Sequence, residues 1–117
     1  MKNKIKILIL ICYFFFNFVT TKAAEQFNFD VTQVEIEDDG NIFKGLSGGT
    51  ATTNDGLIII ANEFEYNKAL NILTGIGNIK INDTINDYII FAEKIIYFKN
   101  IEKILTIGKT KAIIEKN

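Results

Sequence analysis

Short apolar runs along the chain alternate with clusters of Asp, Asn and Gly, a pattern typical of β-strands and hairpins. From Thr32 to Glu37, Val34 and Ile36 alternate with polar residues, as in a strand with one buried face. Turns are predicted at 38–41 and at 54–56, and the Gly-, Ser- and Thr-rich stretch 45–54 is predicted to be a loop or a loosely paired strand. The runs are rich in β-branched residues, which lose rotamer freedom in a helix. The sequence therefore predicts an all-β domain.

A repeat of 31 residues runs through the second half of the chain. Residues 57–66 match residues 88–97 at that shift without gaps, and the match extends to Gly77 with Gly108. Val34 and Gly45, each 32 residues before its counterpart, indicate a weaker earlier copy. Each unit of this length corresponds to two antiparallel strands, with connections at 67–71 and 98–102. Such units cannot bury an apolar face alone, so we expect them to stack around a shared core.

Strict alternation within each strand predicts which side chains share an inner face. The simplest interpretation is an ordinary core, but two facing apolar sheets can equally hold acyl chains between them. The matched glycines Gly77 and Gly108 favour the second interpretation, because glycine in a strand often marks a bulge or a close approach of the backbone. The candidates for a lipid groove are Ile58, Ile60, Phe64, Tyr66, Ile79, Ile81, Ile89, Phe91, Ile95 and Tyr97.

The first 24 residues have the order of a secretory signal peptide. Lysines at positions 2, 4 and 6 precede an apolar run over 7–19, and small residues follow it at 23–24. The run is shorter than the roughly 20 residues that a transmembrane helix needs, and an uncleaved anchor is the alternative. Cys12 lies within the apolar run and lacks the context of a lipoprotein cysteine. We therefore expect export, with residues 25–117 as one domain without disulfides.

Charge is distributed unevenly along the exported part. It carries 9 lysines and 14 acidic residues, a formal charge of 9 − 14 = −5. Residues 25–65 have one lysine against nine acids, and residues 66–117 have eight lysines against five acids. The absence of a dominant basic surface argues against nucleic-acid binding. The polarity is interpreted either as solvated faces or as a guide for head-to-tail contact or anionic head groups.

The sequence contains few of the residue combinations that enzyme catalysis needs. It has no histidine, and its one serine, Ser47, therefore lacks the usual base. The acidic cluster at 35–39 matches no calcium loop and is interpreted as a solvated hairpin end. We expect no catalytic residues, no metal and no cofactor.

Four segments, 31–36, 48–52, 61–67 and 77–81, resemble the OstA-like β-jellyroll family of lipopolysaccharide transport. Within it the arrangement is most similar to the amino-terminal periplasmic domain of the LPS-assembly protein LptD, and the bridge proteins LptA and LptC share the fold. The resemblance covers about 27–114. It implies an open, twisted β-jellyroll whose trough takes the acyl chains of lipid A, and domains that join end to end through their edge strands. It also implies a periplasmic, outer-membrane-associated role without catalysis.

Several alternatives stay open at this point. LptD chains continue into an outer-membrane barrel, which residues 1–117 do not contain, so the domain at 25–117 is expected to be incomplete or to act as a stand-alone bridge protein like LptA. An outer-membrane assembly partner is expected only in the first case. The final strand, 107–114, would be free to pair with a neighbouring domain. A structural β-repeat module that self-assembles and binds no lipid is the alternative from another functional class.

Overall fold

The computed structural model describes residues 27–114, and these form strands joined by short turns. The predicted signal peptide, residues 1–24, lies outside the described residues. Among the described residues, no helix is long and apolar enough to cross a membrane.

Eight strands make up the fold in this part of the chain. In sequence order they are β1 (Asn28–Glu37), β2 (Ile42–Thr52), β3 (Leu57–Ala61), β4 (Glu63–Asn67), β5 (Ile72–Asp83), β6 (Tyr88–Phe98), β7 (Lys103–Ile107) and β8 (Lys111–Ile114).

All eight strands belong to one antiparallel sheet. β3 and β4 lie end to end between β2 and β5, and β7 and β8 lie end to end beside β6. The sheet therefore has six rungs in sequence order, and β1 and the β7–β8 rung are its two edges. Each rung pairs with its neighbour in the chain, as the strand-pair repeat predicted.

A line of irregularities crosses all six rungs near their midpoints, and we call it the crease. The register of β5 against β6 shifts between Ile76 and Ile79, because two residues of β5 oppose one of β6. Gly77 and Asn78 have φ of +80° and +48° at this bulge. Residues at the crease are 32–33, 46–48, 62–63, 76–78, 93–94 and 107–109.

The crease divides the sheet into two half-sheets that pack face to face. The first half-sheet contains the start of β1, the end of β2, β3, the end of β5, the start of β6 and β8. The second contains the remaining halves together with β4 and β7. Contacts between the two show the closure: a Cβ built on Gly75 would lie 3.0 Å from Ile79 Cδ1 and 3.6 Å from Ala61 Cβ. The core lies between the half-sheets.

The turns at the far end of the second half-sheet hydrogen-bond to one another, and equivalent turn residues lie about one repeat apart in sequence. The Lys68 N–H donates to the Asn41 carbonyl at 3.0 Å, and the Lys99 N–H donates to the Asn71 carbonyl at 3.1 Å. Asn71 and Glu102, 31 residues apart, both adopt positive φ, at +54° and +49°. The strand-pair repeat and the all-β jellyroll fold predicted from the sequence are confirmed.

The stretch 45–54 was predicted to be either a loop or a loosely paired strand, and most of it is a regular strand. Residues up to Thr52 belong to β2, which pairs with β1 on one side and with β3 and β4 on the other. Its glycines serve close packing, since a Cβ on Gly45 would lie 2.8 Å from Val31 Cγ1. The turn at 54–56 lies where it was predicted.

Candidate functional site

The ten apolar residues predicted to share one inner face divide between two faces. Six of them lie between the half-sheets, five fully buried and Tyr66 half-buried. The other four face outward, because they alternate with buried neighbours on β3 and β6. The inner six are Phe64, Tyr66, Ile79, Ile81, Ile95 and Tyr97; the outer four are Ile58, Ile60, Ile89 and Phe91.

The sequence prediction placed all ten residues on one face. It was wrong for Ile58, Ile60, Ile89 and Phe91, because the inward–outward alternation changes phase at the crease. On β3–β4 and on β6 only two residues separate the last inward position before the crease from the first one after it. On β5 three residues do so, since the bulge adds one. Alternation therefore carries across the crease on β5 and reverses on its neighbours.

The same reversal hides several interior residues from the sequence. Ile59 is completely buried, whereas Ile60 beside it is 42% exposed. The signal that could have revealed the change is the glycine at the matched position in each repeat, which marks the bulge opposite. The interior residues missed from the groove prediction are Phe27, Phe29, Val31, Ala51, Leu57, Ile59, Ala61, Leu73, Ile90, Ala92 and Ile104.

Gly77 and Gly108, predicted as points of close backbone approach, occupy equivalent positions at the crease. Their φ angles are +80° and +88°. A Cβ on Gly77 would lie 2.6 Å from the Asn62 side-chain nitrogen, and one on Gly108 would collide with the Glu93 carboxylate. Each glycine thus allows the neighbouring rung's crease residue to lie against the bulge.

Aromatic side chains join the half-sheets at the end away from the crease, which we call the mouth. Phe27 precedes β1 in the first half-sheet, and its ring centroid lies 5.1 Å from that of Tyr66 and 5.7 Å from that of Tyr97 in the second. Phe29 stacks on Phe43 at 4.5 Å. These contacts close the interior over its middle rungs in this conformation.

An ion pair also spans the mouth. Lys99, after β6, lies 3.5 Å from Asp55 in the β2–β3 turn and 2.5 Å from Glu102. Burial lowers the pKa of Lys99, but the hydrogen bond that Lys99 donates to Glu102 and the charges of Glu102 and Asp55 outweigh it and raise that pKa. The Thr53 hydroxyl, with a smaller contribution from Lys99, lowers the pKa of Asp55. Both groups are therefore charged at neutral pH, and among residues 27–114 this is the one ion pair between the half-sheets.

Tyr97 links the buried interior to this pair. Its hydroxyl donates to Glu102 Oε2 at 2.6 Å, and Tyr66, its counterpart in the repeat, donates to Asn71 Oδ1 at the same distance. Burial, followed by the hydrogen bond with Glu102, raises the pKa of Tyr97 far above its usual range.

The rows of apolar side chains that line the interior are left uncovered at both edges of the sheet. At the β1 edge, Val34 and Ile36 pair with Gly45 and Phe43 and so face inward, yet Ile36 is 66% exposed. At the other edge, Ile114 of β8 lies opposite Tyr88 and is 71% exposed. An apolar path thus runs between the half-sheets from one edge strand to the other, packed in its middle and open at its ends.

The acidic residues in the described part of the chain do not gather into a metal site. No group of three or more potential ligands converges there, and the charged residues at 35–39 are exposed. The chemical means available to the interior are apolar contact and burial.

Comparison with known proteins identifies the fold. No protein-family model and no curated protein matches the sequence. Among solved structures, the chain is similar to LptH from Pseudomonas aeruginosa, the LptA homologous periplasmic component of the conserved lipopolysaccharide transport device. The TM-score is 0.66 at 10% identity, over 78% of this chain and 76% of LptH. The particular similarity to the LptD amino-terminal domain stays a prediction. The chain has the β-jellyroll fold of this periplasmic transport component.

Proposed function

We propose that the chain is a non-enzymatic, periplasmic module of lipopolysaccharide transport that carries the acyl chains between its two half-sheets. The observation that supports this most is the apolar interior, which continues from Ile36 at one edge to Ile114 at the other. A monomer gains nothing from leaving inward-facing apolar residues exposed at both ends of a core. A lipid that passes from one domain to the next needs such openings.

The half-sheets must separate for acyl chains to enter. The middle of the interior is filled in this conformation, since Ile59, Leu73, Ile81 and Ile95 have no exposed surface. Each CH₂ group transferred from water to this interior contributes roughly 0.8 kcal/mol, so an acyl chain can replace contacts between the half-sheets. The crease is the natural hinge, and the mouth, held by Phe27 and by the Lys99–Asp55 pair, is the part that opens.

The predicted signal peptide at residues 1–24 would deliver the domain to the periplasm. The role there is either that of a domain of an LptD-like outer-membrane assembly protein or that of an LptA-like bridge protein. In both, the energy for transport comes from elsewhere and this component supplies the path.

Neighbouring jellyroll domains are the expected protein partners. β1 and the β7–β8 rung are unpaired on their outer sides among the described strands, so each can form main-chain hydrogen bonds with another domain. Glu35 and Glu37 lie on the first edge strand, and the second edge carries Lys103 on β7, Lys111 on β8 and Lys109 in the connection between them. Opposite charges favour contact between unlike edges, which also joins the interior rows of the two domains.

Holding the mouth shut tests this function. In a chain that starts at Ala24, which excludes Cys12, the substitutions Asp55→Cys and Lys99→Cys allow a short bismaleimide to bridge the half-sheets. We expect the bridged protein to lose lipopolysaccharide binding at least tenfold, where about 1.4 kcal/mol corresponds to tenfold. The control is the same double variant in which each thiol is capped by a separate monofunctional maleimide, and it should bind lipopolysaccharide. Equal binding by bridged and unbridged protein would refute passage between the half-sheets.

A structural β-repeat module without lipid is the second candidate, and the packed middle of the interior favours it. This function predicts that neither the bridged nor the unbridged protein binds lipopolysaccharide, and that organic extracts of the purified protein contain no lipid. Chemical analysis of organic extracts for 3-hydroxy fatty acids distinguishes the two.

A further inference from the structure

The outer side of the first half-sheet carries an apolar patch that the interior does not use. Ile58 and Ile60 on β3 and Ile89 and Phe91 on β6 point away from the core, and Ile113 on β8 lies directly opposite Ile89. Cross-strand partners share a face, so all five belong to one surface. We call it the outer patch.

Two lysines complete this surface. Lys80 lies between Ile60 and Phe91 across the strands, and Lys111 lies directly opposite Phe91 on its other side. The rows Ile58–Asn82–Ile89–Ile113 and Ile60–Lys80–Phe91–Lys111 therefore lie side by side over four rungs, about 15 Å across at the usual strand spacing. Ile60 and Phe91 are 42% and 40% exposed.

The charge of the outer patch is opposite to that of the whole exported chain. Its four strands carry Lys80 and Lys111 on this side, while Glu93 follows Phe91 by two residues at the crease and Asp30 on β1 continues the row of Ile60 two rungs away. The outer side of the second half-sheet differs, because Glu63 and Glu65 on β4 balance Lys94 and Lys103 on β6 and β7. Over the same four rungs, the two lysines of the outer patch exceed the single carboxylate of Glu93, whereas the charges on the other outer side cancel.

We propose that the outer patch docks the domain flat on an anionic phospholipid surface. Apolar side chains and Phe91 would enter the head-group region while the lysine stems lie along them and their ammonium groups meet lipid phosphates. A second copy of the chain fits less well, since contact between two outer patches would bring four lysines into one apolar interface. Docking in this way leaves the β1 edge and the mouth free, and on the second edge it engages the side chains of Lys111 and Ile113 while the backbone of β8 stays open for pairing.

Vesicle co-sedimentation tests the docking with the chain that starts at Ala24, which retains every described residue. We expect binding to phosphatidylcholine vesicles containing phosphatidylglycerol and little binding to phosphatidylcholine alone. Lys80→Gln with Lys111→Gln should weaken the binding about fivefold per lysine, and added salt should weaken it further. Ile60→Ser with Phe91→Ser should weaken it at least as much.

The matched control lies on the opposite outer side. Leu105, 45% exposed on β7, and Ile76 on β5 are substituted as Ile76→Ser with Leu105→Ser, and this variant should bind vesicles as the parent does. Three results would overturn the proposal. They are equal binding to both vesicle types, a loss of vesicle binding in the control variant as large as in the outer-patch variants, and a dimer that Phe91→Ser dissociates. Lipopolysaccharide binding between the half-sheets should be unchanged in the outer-patch variants, so the two proposals fail separately.

Discussion

At the scale of single residues, the crease depends on backbone conformations that side chains rarely adopt. Gly77 combines a positive φ with the Asn62 side chain at 2.6 Å from the place of a Cβ, whereas Gly40 has a φ of +90° with open space around it. The two glycines therefore separate the cost of conformation from the cost of contact.

We expect Gly40→Ala to lower the free energy of unfolding by about 1 kcal/mol, since only the left-handed conformation is penalised. Gly77→Ala should cost more, about 2–3 kcal/mol, because Asn62 must also move. Urea denaturation of both variants measures the difference. Equal losses of unfolding free energy would show that the Asn62 side chain moves aside without a measurable cost in stability.

A second residue-scale prediction concerns alkaline pH. The folded state keeps Tyr97 neutral because its pKa is raised, while an unfolded tyrosine ionises near pH 10. The stabilisation is therefore complete below about pH 10 and is lost progressively as the pH rises above it. Tyr97→Phe should flatten the decline of the free energy of unfolding between about pH 9 and 11. An unchanged slope would show that Tyr97 does not cause it.

At the scale of elements, the sequence predicts the strands and turns well and their facing only in part. Hairpin turns, β-branched runs and the 31-residue repeat are local signals, and the turn at 54–56 and the connections at 68–71 and 99–102 follow from them. The phase of alternation is also local, so it holds within β3 and within β4 but carries no information across Asn62 and Glu63. Pairing with the bulge at Gly77 sets that phase, and pairing is a long-range property.

The reversal of phase makes neighbouring isoleucines behave differently. Ile59→Ala should cost about 2–5 kcal/mol because it leaves a cavity between the half-sheets. Ile60→Ala, at a site 42% exposed, should cost less than about 1 kcal/mol. Chemical denaturation of the two variants checks this, and a larger loss for Ile60→Ala would restore the face assignment that strict alternation predicts.

At the scale of the whole molecule, the two edges differ in charge and both expose the interior rows. The acidic edge lies at β1 and the basic edge at β7 and β8, which reflects the uneven charge of the sequence. Charge distribution was readable from the sequence, whereas its placement on opposite edges required the order of the rungs. End-to-end contact between domains is the assembly that this arrangement favours.

Charge reversal at one edge should weaken that assembly. Lys103→Glu with Lys109→Glu should reduce self-association by about two- to tenfold at low salt, since exposed charge pairs contribute about 0.2–1 kcal/mol each. Adding Glu35→Lys with Glu37→Lys should restore it, and Lys68→Glu, in a turn away from both edges, is the control. Sedimentation equilibrium at two salt concentrations measures the effect. Loss without restoration would exclude contact between unlike edges.

Site-specific photo-crosslinking tests the central claim, a lipid path between the half-sheets. A benzophenone amino acid replaces Tyr66 or Ile104, which are half-buried and face the interior, or Ile76, which is exposed on the outer side of the second half-sheet. With lipopolysaccharide bound, irradiation should attach it at Tyr66 and Ile104 and not at Ile76. Equal labelling at all three positions, or labelling at Ile76 alone, would contradict a path through the interior.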